Sequence, residues 1–123
     1  MKNIHKKALP NFQNAVIPNG KLTDYALNKN NSGGRDKAIA FETALGYTVD
    51  NAGELKANIL QHLAFFEATL VKETEYGKLY EVIINLKGPN GKKANVLSAW
   101  IIKTGVAYPS LTSVYITKKK VKK

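Results

Sequence analysis

The sequence contains no cysteine, only two histidines and no long run of apolar residues. Without cysteine, the chain has no disulfide bond, no thiolate metal site and no cysteine nucleophile. His5 and His62 lie 57 positions apart, and the acidic residues show no metal-ligand spacing, so we expect no metal site and no cofactor. No Walker loop, dinucleotide-binding motif or local signature of a Ser-His-Asp arrangement is present.

No apolar stretch approaches the roughly 18 residues that cross a membrane. The basic residues near the start of the chain are followed by no signal-type apolar core. We therefore expect no membrane association and synthesis in the cytoplasm. Delivery as the C-terminal end of a larger secreted toxin is compatible with the same sequence.

Positive charge is what the chain has in excess, with a formal net charge of +10. Eight of the 19 basic residues lie in two terminal segments that contain no acidic residue, at positions 2–7 and 118–123. Most of the excess is therefore expected on mobile tails. Such tails raise the affinity for a phosphate backbone in a salt-dependent way, so non-enzymatic nucleic-acid binding is one candidate function.

The spacing of apolar residues changes from helical to alternating after Glu67. Before this point we predict a short helix, a second helix between an N-cap at Ser32 and Gly46, and a third that starts from a capping box at Asn51 and runs to about Phe66. After it we predict strands at 68–76, 79–86, 94–102 and 111–117. This order predicts an α+β fold, with N-terminal helices packed on one face of a four-stranded antiparallel β-meander.

The chain length fits one domain. We expect an extended N-terminal arm at 1–20, a single α+β domain at 21–117 and a basic C-terminal tail at 118–123.

Alternation along the predicted strands assigns side chains to two faces of the sheet. Leu97, Ala99 and Ile101 are expected to face the helices. The opposite, helix-free face would then hold Glu81, Asn85, Ser98, Trp100, Ser113 and Tyr115. This polar and aromatic surface suits a flat or charged ligand. The alternative is an ordinary solvated face on which the N-terminal arm covers Trp100.

The start of the second predicted helix is unusual because Gly33 and Gly34 are followed by Arg35 and Lys37. Cations in a first helical turn oppose the helix macrodipole, which favours anions there. Such a sequence fits a site for a phosphate or carboxylate. In the alternative interpretation, Asp36 neutralises the turn and the cations point into water.

These residues belong to a set that could cleave RNA by attack of the RNA's own 2′-hydroxyl. That reaction needs a base, an acid and cations that stabilise the charge on the phosphorane. Tyrosine and lysine can transfer the protons, and Arg35 and Lys37 can hold the phosphate. The set consists of Lys21, Tyr25, Arg35, Lys37, Glu81, Ser113 and Tyr115.

Short motifs in both halves of the chain resemble a small bacterial family catalogued as a domain of unknown function. They are KLTDYALN at 21–28, GRDK at 34–37, LG at 45–46, EYG at 75–77, GPNG at 88–91, SAWI at 98–101 and the segment 109–115. The resemblance covers most of the chain. Where the family usually has a His and a Pro in its connector, this chain has Asn30, Asn31 and Ser32, and Leu97 replaces a usually basic residue.

The resemblance carries expectations about function. Members of the family recur as solitary proteins and at the C-termini of polymorphic toxins, and their element order is similar to the barnase/EndoU/colicin/RelE type of metal-independent ribonuclease. The resemblance therefore implies a basic toxin that acts on RNA, such as tRNA or mRNA, and a cognate antitoxin or immunity protein as its partner.

We therefore predict a metal-independent endoribonuclease of toxin type. The predicted catalytic residues are Tyr25, Arg35, Lys37, Ser113 and Tyr115, and the predicted substrate-binding residues are Lys21, Glu81, Ser98 and Trp100. The alternative is a non-catalytic interaction module, such as an antitoxin, an immunity protein or a phage-derived factor. Such a module would bind its partner through the sheet face around Trp100.

Overall fold

Two α-helices and a π-helix precede a four-stranded antiparallel sheet in the structure, a computed structural model that describes residues 3–122. The helical elements are the π-helix Lys21–Ala26, α1 (Arg35–Leu45) and α2 (Ala52–His62), with short 3₁₀ turns at Phe12–Asn14, Val49–Asn51 and Leu63–Phe65. The strands are β1 (Ala68–Thr74), β2 (Gly77–Lys87), β3 (Lys93–Lys103) and β4 (Ser110–Thr117). The strand order is β1-β2-β3-β4, so β1 and β4 are the edges. The predicted α+β class is confirmed.

The ends of the helices follow local signals that differ in part from those predicted. Gly46 ends α1 with φ 84°, as expected for a C-terminal glycine. The N-cap of α1 is Gly34, without a side-chain hydrogen bond, so the predicted N-cap at Ser32 is wrong. Before α2 the capping box lies three residues earlier than predicted. Thr48 N donates to Asn51 Oδ1 at 2.7 Å, and Thr48 Oγ1 accepts from Asp50 N at 3.2 Å.

The core lies between the helices and one face of the sheet. Phe41 and Leu45 of α1 and Leu55 and Ile59 of α2 are all fully buried. They belong to one cluster with the sheet residues Val82, Ile84, Leu86, Val96, Trp100 and Val114. Burying each large apolar side chain contributes about 1.5–3 kcal/mol, so this cluster is what fixes the helices on the sheet.

The predicted faces of β3 are wrong, because Ser98 and Trp100 point towards the helices. The register pairs Tyr80 with Trp100 and Val82 with Ser98, and residues directly opposite each other share a face. Both side chains are 0% exposed. Ser98 Oγ donates to the carbonyl oxygen of Val82 at 2.9 Å and accepts from Trp100 Nε1 at 2.9 Å. The buried serine therefore satisfies the indole N–H inside the core.

Both ends of the described chain lie against the sheet. In the N-terminal part, Val16 forms a parallel bridge with Ser110 beside β4, while Ile17 is buried. At the other end, Asn95 Nδ2 donates to the carbonyl oxygen of Lys119 at 3.0 Å, and Lys122 Nζ donates to Thr69 Oγ1 at 2.6 Å. Residues 118–122, predicted as part of the basic C-terminal tail, thus cross the helix-free face.

Within residues 3–122, no helix has both the length and the apolar composition to cross a membrane. In the same part of the chain, no group of three or more His, Asp or Glu side chains is arranged to hold a metal ion.

Candidate active site

A cleft of about 480 Å³ opens at the free edge of β4. Its walls are the π-helix, the connector that follows it, the first turn of α1 and the middle of β4. Four of the predicted site residues line it together: Lys21, Tyr25, Lys37 and Ser113. The structure thus brings together residues that lie up to 92 positions apart in the sequence.

The connector lies against the π-helix because of a glycine and an asparagine. A Cβ atom on Gly34 would stand 2.8 Å from the carbonyl oxygen of Tyr25, so only glycine allows this approach without a shift. Asn31 Nδ2 donates to the carbonyl oxygen of Asp24 at 3.0 Å, and Asn31 Oδ1 accepts from Gly33 N at 2.9 Å. Sequence reasoning missed Asn31, although an Asn two residues before a glycine is a typical turn signal.

Two lysines of the cleft lie over tyrosine rings. Lys37 Nζ is 4.9 Å from the ring centroid of Tyr115, and Lys21 Nζ is 5.6 Å from that of Tyr25. Exposed cation–π contacts of this kind contribute about 0.5–1 kcal/mol each. Tyr115 pairs with Leu97, on the face of the sheet opposite α1. The side chain of Lys37 therefore reaches past the free edge of β4 and links Tyr115 to the cleft.

The cations and hydroxyl groups in and beside the cleft are free to bind a ligand. Within residues 3–122, Lys21, Arg35 and Lys37 form no ion pair, the sole ion pair in this part of the chain being Lys29–Glu42. In the same residues, the hydroxyl groups of Tyr25, Tyr115 and Ser113 have no hydrogen-bond partner in the protein. The first turn of α1 likewise has no side-chain cap. Unpaired donors and cations around one cleft favour an anionic ligand.

Arg35 and Glu81 do not line this cleft. Arg35 is the exposed first residue of α1, next to Gly34. Residues two apart on a helix do not share a side, so Arg35 and Lys37 point in different directions. The cation that lies over the ring of Tyr115 is Lys37. Glu81 lies on the helix-free face and lines a separate small cavity with Lys119 and Lys122.

Ser98 and Trp100 are inaccessible to a substrate, because both side chains are buried among the helices. Of the nine predicted site residues, the structure places four in the cleft and one, Tyr115, in contact with it. The remaining two, Arg35 and Glu81, are on the surface outside it.

Residues 8–118 match the protein family DUF6883, described as a domain of unknown function. The chain belongs to this family. Comparison with curated proteins and with solved structures gave no match. The DUF6883 match includes every residue of the cleft and ends at Lys118, where the segment across the helix-free face begins. The description of DUF6883 names no activity.

Proposed function

We propose that the cleft is the active site of an endoribonuclease that cleaves RNA through the RNA's own 2′-hydroxyl, without a metal ion. The observation that carries this proposal is the set of unpaired cations and hydroxyl groups around one cleft. Lys21 and Lys37 provide positive charge, and Tyr25, Ser113 and Tyr115 provide hydroxyl groups. A phosphodiester combines the negative charge and the acceptor oxygens that such a set binds.

The proposed reaction uses these groups as follows. The 2′-oxygen attacks the adjacent phosphorus, a new P–O bond forms, and the bond from phosphorus to the 5′-oxygen breaks. One of the two phenol groups, as a phenolate, accepts the proton of the 2′-hydroxyl. The other gives its proton to the departing 5′-oxygen. Tyr25 lines the cleft from the π-helix, and Tyr115 lies beside it on β4 in contact with Lys37, so the two proton transfers are assigned to separate groups.

The cations and the serine serve the phosphorane. Lys37 and Lys21 stabilise its additional negative charge, and Ser113 donates a hydrogen bond to a non-bridging oxygen. Arg35 is exposed beside the cleft, where it would hold a neighbouring phosphate of the strand. We propose an RNA such as tRNA or mRNA as the substrate. An acidic antitoxin or immunity protein is the proposed partner, because it would complement the net charge of +10.

Two substitutions test the proposal against matched controls in RNA cleavage assays that contain EDTA. Lys37→Ala removes a cation and is expected to lower kcat about 100- to 1,000-fold. Tyr115→Phe keeps the ring under Lys37 but removes the hydroxyl, and a loss of about 100- to 10,000-fold is expected. The controls are Lys56→Ala on α2 and Tyr76→Phe, whose ring is 73% exposed in the β1–β2 turn.

Wild-type protein that leaves RNA intact under all buffer conditions overturns the proposal. So does cleavage that survives both cleft substitutions. Cleavage that stops when EDTA is added overturns the metal-independent part alone.

A non-catalytic interaction module is the second candidate function. Trp100 is buried, so the surface predicted around it cannot bind a partner protein. The other edge strand of the sheet, β1, carries exposed apolar residues. Leu70, Val71 and Tyr76 are 47%, 56% and 73% exposed along β1 and its turn. Edge strands bind partner strands through their free backbone groups. This function predicts a stoichiometric protein complex that Val71→Glu disrupts and that Lys37→Ala leaves intact.

A further inference from the structure

Residues 118–122 follow a defined path over the helix-free face of the sheet. The path leaves the end of β4, where Lys119 N donates to Thr117 Oγ1 at 3.1 Å. It crosses β3, where Asn95 Nδ2 donates to the carbonyl oxygen of Lys119. It reaches β1, where Lys122 Nζ donates to Thr69 Oγ1. The segment therefore spans all four strands.

The surface beneath this segment is apolar and acidic. Leu97 and Ile83 are 1% and 7% exposed, although no helix covers this face of the sheet. Ile83 lines the same small cavity as Lys119 and Lys122, together with Glu67 and Glu81. The segment thus places positive charge beside two carboxylates that would repel a polyanion, and Lys118, Lys119 and Lys120 in it are exposed.

The lysine segment, residues 118–120, directly follows the strand that forms one wall of the cleft. Ser113, Tyr115 and Thr117 alternate along β4 on the helix-free side, and Ser113 lines the cleft. At about 3.4 Å per residue, the distance from Ser113 to Thr117 is roughly 14 Å, and the lysines begin at the next residue. Between the two ends lies Tyr115 with the ammonium group of Lys37 over its ring.

We propose that residues 118–120 form a second binding site for the sugar–phosphate backbone of a single-stranded RNA whose scissile bond lies in the cleft. The inference rests on the proposed function for the identity of the ligand. The site binds phosphates some nucleotides away from the reacting one, so it raises the affinity for long strands and has no contact with a dinucleotide. Because the contacts are to phosphates, the site is indifferent to base sequence.

The test measures binding separately from cleavage. Fluorescence anisotropy with a labelled single-stranded DNA of about 12 nucleotides, a length typical of single-strand sites, reports affinity with a strand that lacks the 2′-hydroxyl. The variant replaces Lys118, Lys119 and Lys120 with Gln. The control replaces Lys56, Lys78 and Lys103 with Gln, which removes the same charge from α2 and from the far end of the β2–β3 pair.

The magnitude follows from counterion release. Each phosphate contact to a single strand contributes about −0.7 to the slope of log K against log salt, so three contacts contribute about −2. Between 50 and 200 mM salt, the wild-type affinity should therefore fall about twentyfold more than that of the segment variant. The salt slope of the control variant should differ from that of the wild type by less than the contribution of one phosphate contact, about 0.7. Cleavage of a dinucleotide should be the same in all three proteins.

A second variant keeps the charge and changes only the placement of the segment. Asn95→Ala removes the donor to Lys119, so affinity for the strand should fall several-fold while the salt slope stays near that of the wild type. The proposal is overturned if the segment variant and the control lose affinity equally. It is also overturned if the segment variant binds or cleaves better than wild type, since the segment would then block the face. If the segment variant loses affinity and the control does not, but the wild type cleaves no RNA, the second binding site is supported and the proposed endoribonuclease activity is overturned.

Discussion

The buried pair of Ser98 and Trp100 supports a quantitative prediction, because the hydroxyl group is the one partner of the indole N–H. Ser98→Ala leaves Trp100 Nε1 without an acceptor in a site that is 0% exposed. An unsatisfied buried donor costs about 1–3 kcal/mol. The carbonyl oxygen of Val82 loses a second hydrogen bond, but a carbonyl in a sheet tolerates this better than a lone donor does.

We therefore expect Ser98→Ala to lower the free energy of unfolding by about 1–3 kcal/mol. With a urea m-value of about 1–3 kcal/mol/M, the midpoint should fall by roughly 1 M. Circular dichroism measures the transition without relying on the indole. Because Trp100 is the only tryptophan, iodide quenching of its fluorescence gives an independent readout, and the wild type should be protected from the quencher.

A double-mutant cycle with Trp100→Phe isolates the contact. Phenylalanine has no N–H, so Ser98→Ala should cost at least about 1 kcal/mol less in the Trp100→Phe background than in the wild type. If Ser98→Ala costs under about 0.5 kcal/mol in both backgrounds, or if iodide quenches Trp100 readily, the placement of β3 is refuted.

The remaining predictions concern the elements that build the cleft. Gly34→Ala places a Cβ atom 2.8 Å from a carbonyl oxygen of the π-helix and should destabilise the protein by about 1–3 kcal/mol. Gly53→Ala in α2, whose Cβ atom would meet nothing within 4 Å, should stabilise it by about 0.5–1 kcal/mol. Urea unfolding measures both changes, and a Gly34→Ala protein more stable than the Gly53→Ala protein contradicts the account of the connector. Thr48→Ala removes the capping box before α2 and should cost about 0.5–2 kcal/mol in the same experiment, with no loss contradicting the assignment of the cap. Arg35→Ala should lower RNA cleavage less than Lys37→Ala does, because Arg35 does not line the cleft; an equal or larger loss would assign the scissile phosphate to Arg35.

The order and type of the elements could be predicted from the sequence, because apolar spacing changes sharply near Glu67. Which face of β3 packs against the helices could not be predicted, because that strand is apolar on both sides. Val96 and Trp100 pack against the helices, and Leu97 is buried on the other face, next to Ile83. Alternation identifies a core face only when the opposite face is polar.

The cleft itself could be predicted in part. Lys21, Tyr25 and Lys37 belonged to the set predicted for metal-independent RNA cleavage, but choosing between Arg35 and Lys37 required the rotation of α1 against β4. The position of the lysine segment could not be read from composition. It depends on a hydrogen bond between Lys122 and Thr69, which are 53 positions apart.

The central claim is that this cleft cleaves RNA by means of the 2′-hydroxyl beside the scissile phosphate. An RNA oligonucleotide with a single deoxynucleotide immediately 5′ of an established cleavage point tests it most directly, with EDTA present and Lys37→Ala as the inactive reference. The account predicts resistance at the substituted position alone, and products with a 2′,3′-cyclic phosphate and a 5′-hydroxyl at every other position. Cleavage that continues at the deoxynucleotide contradicts it.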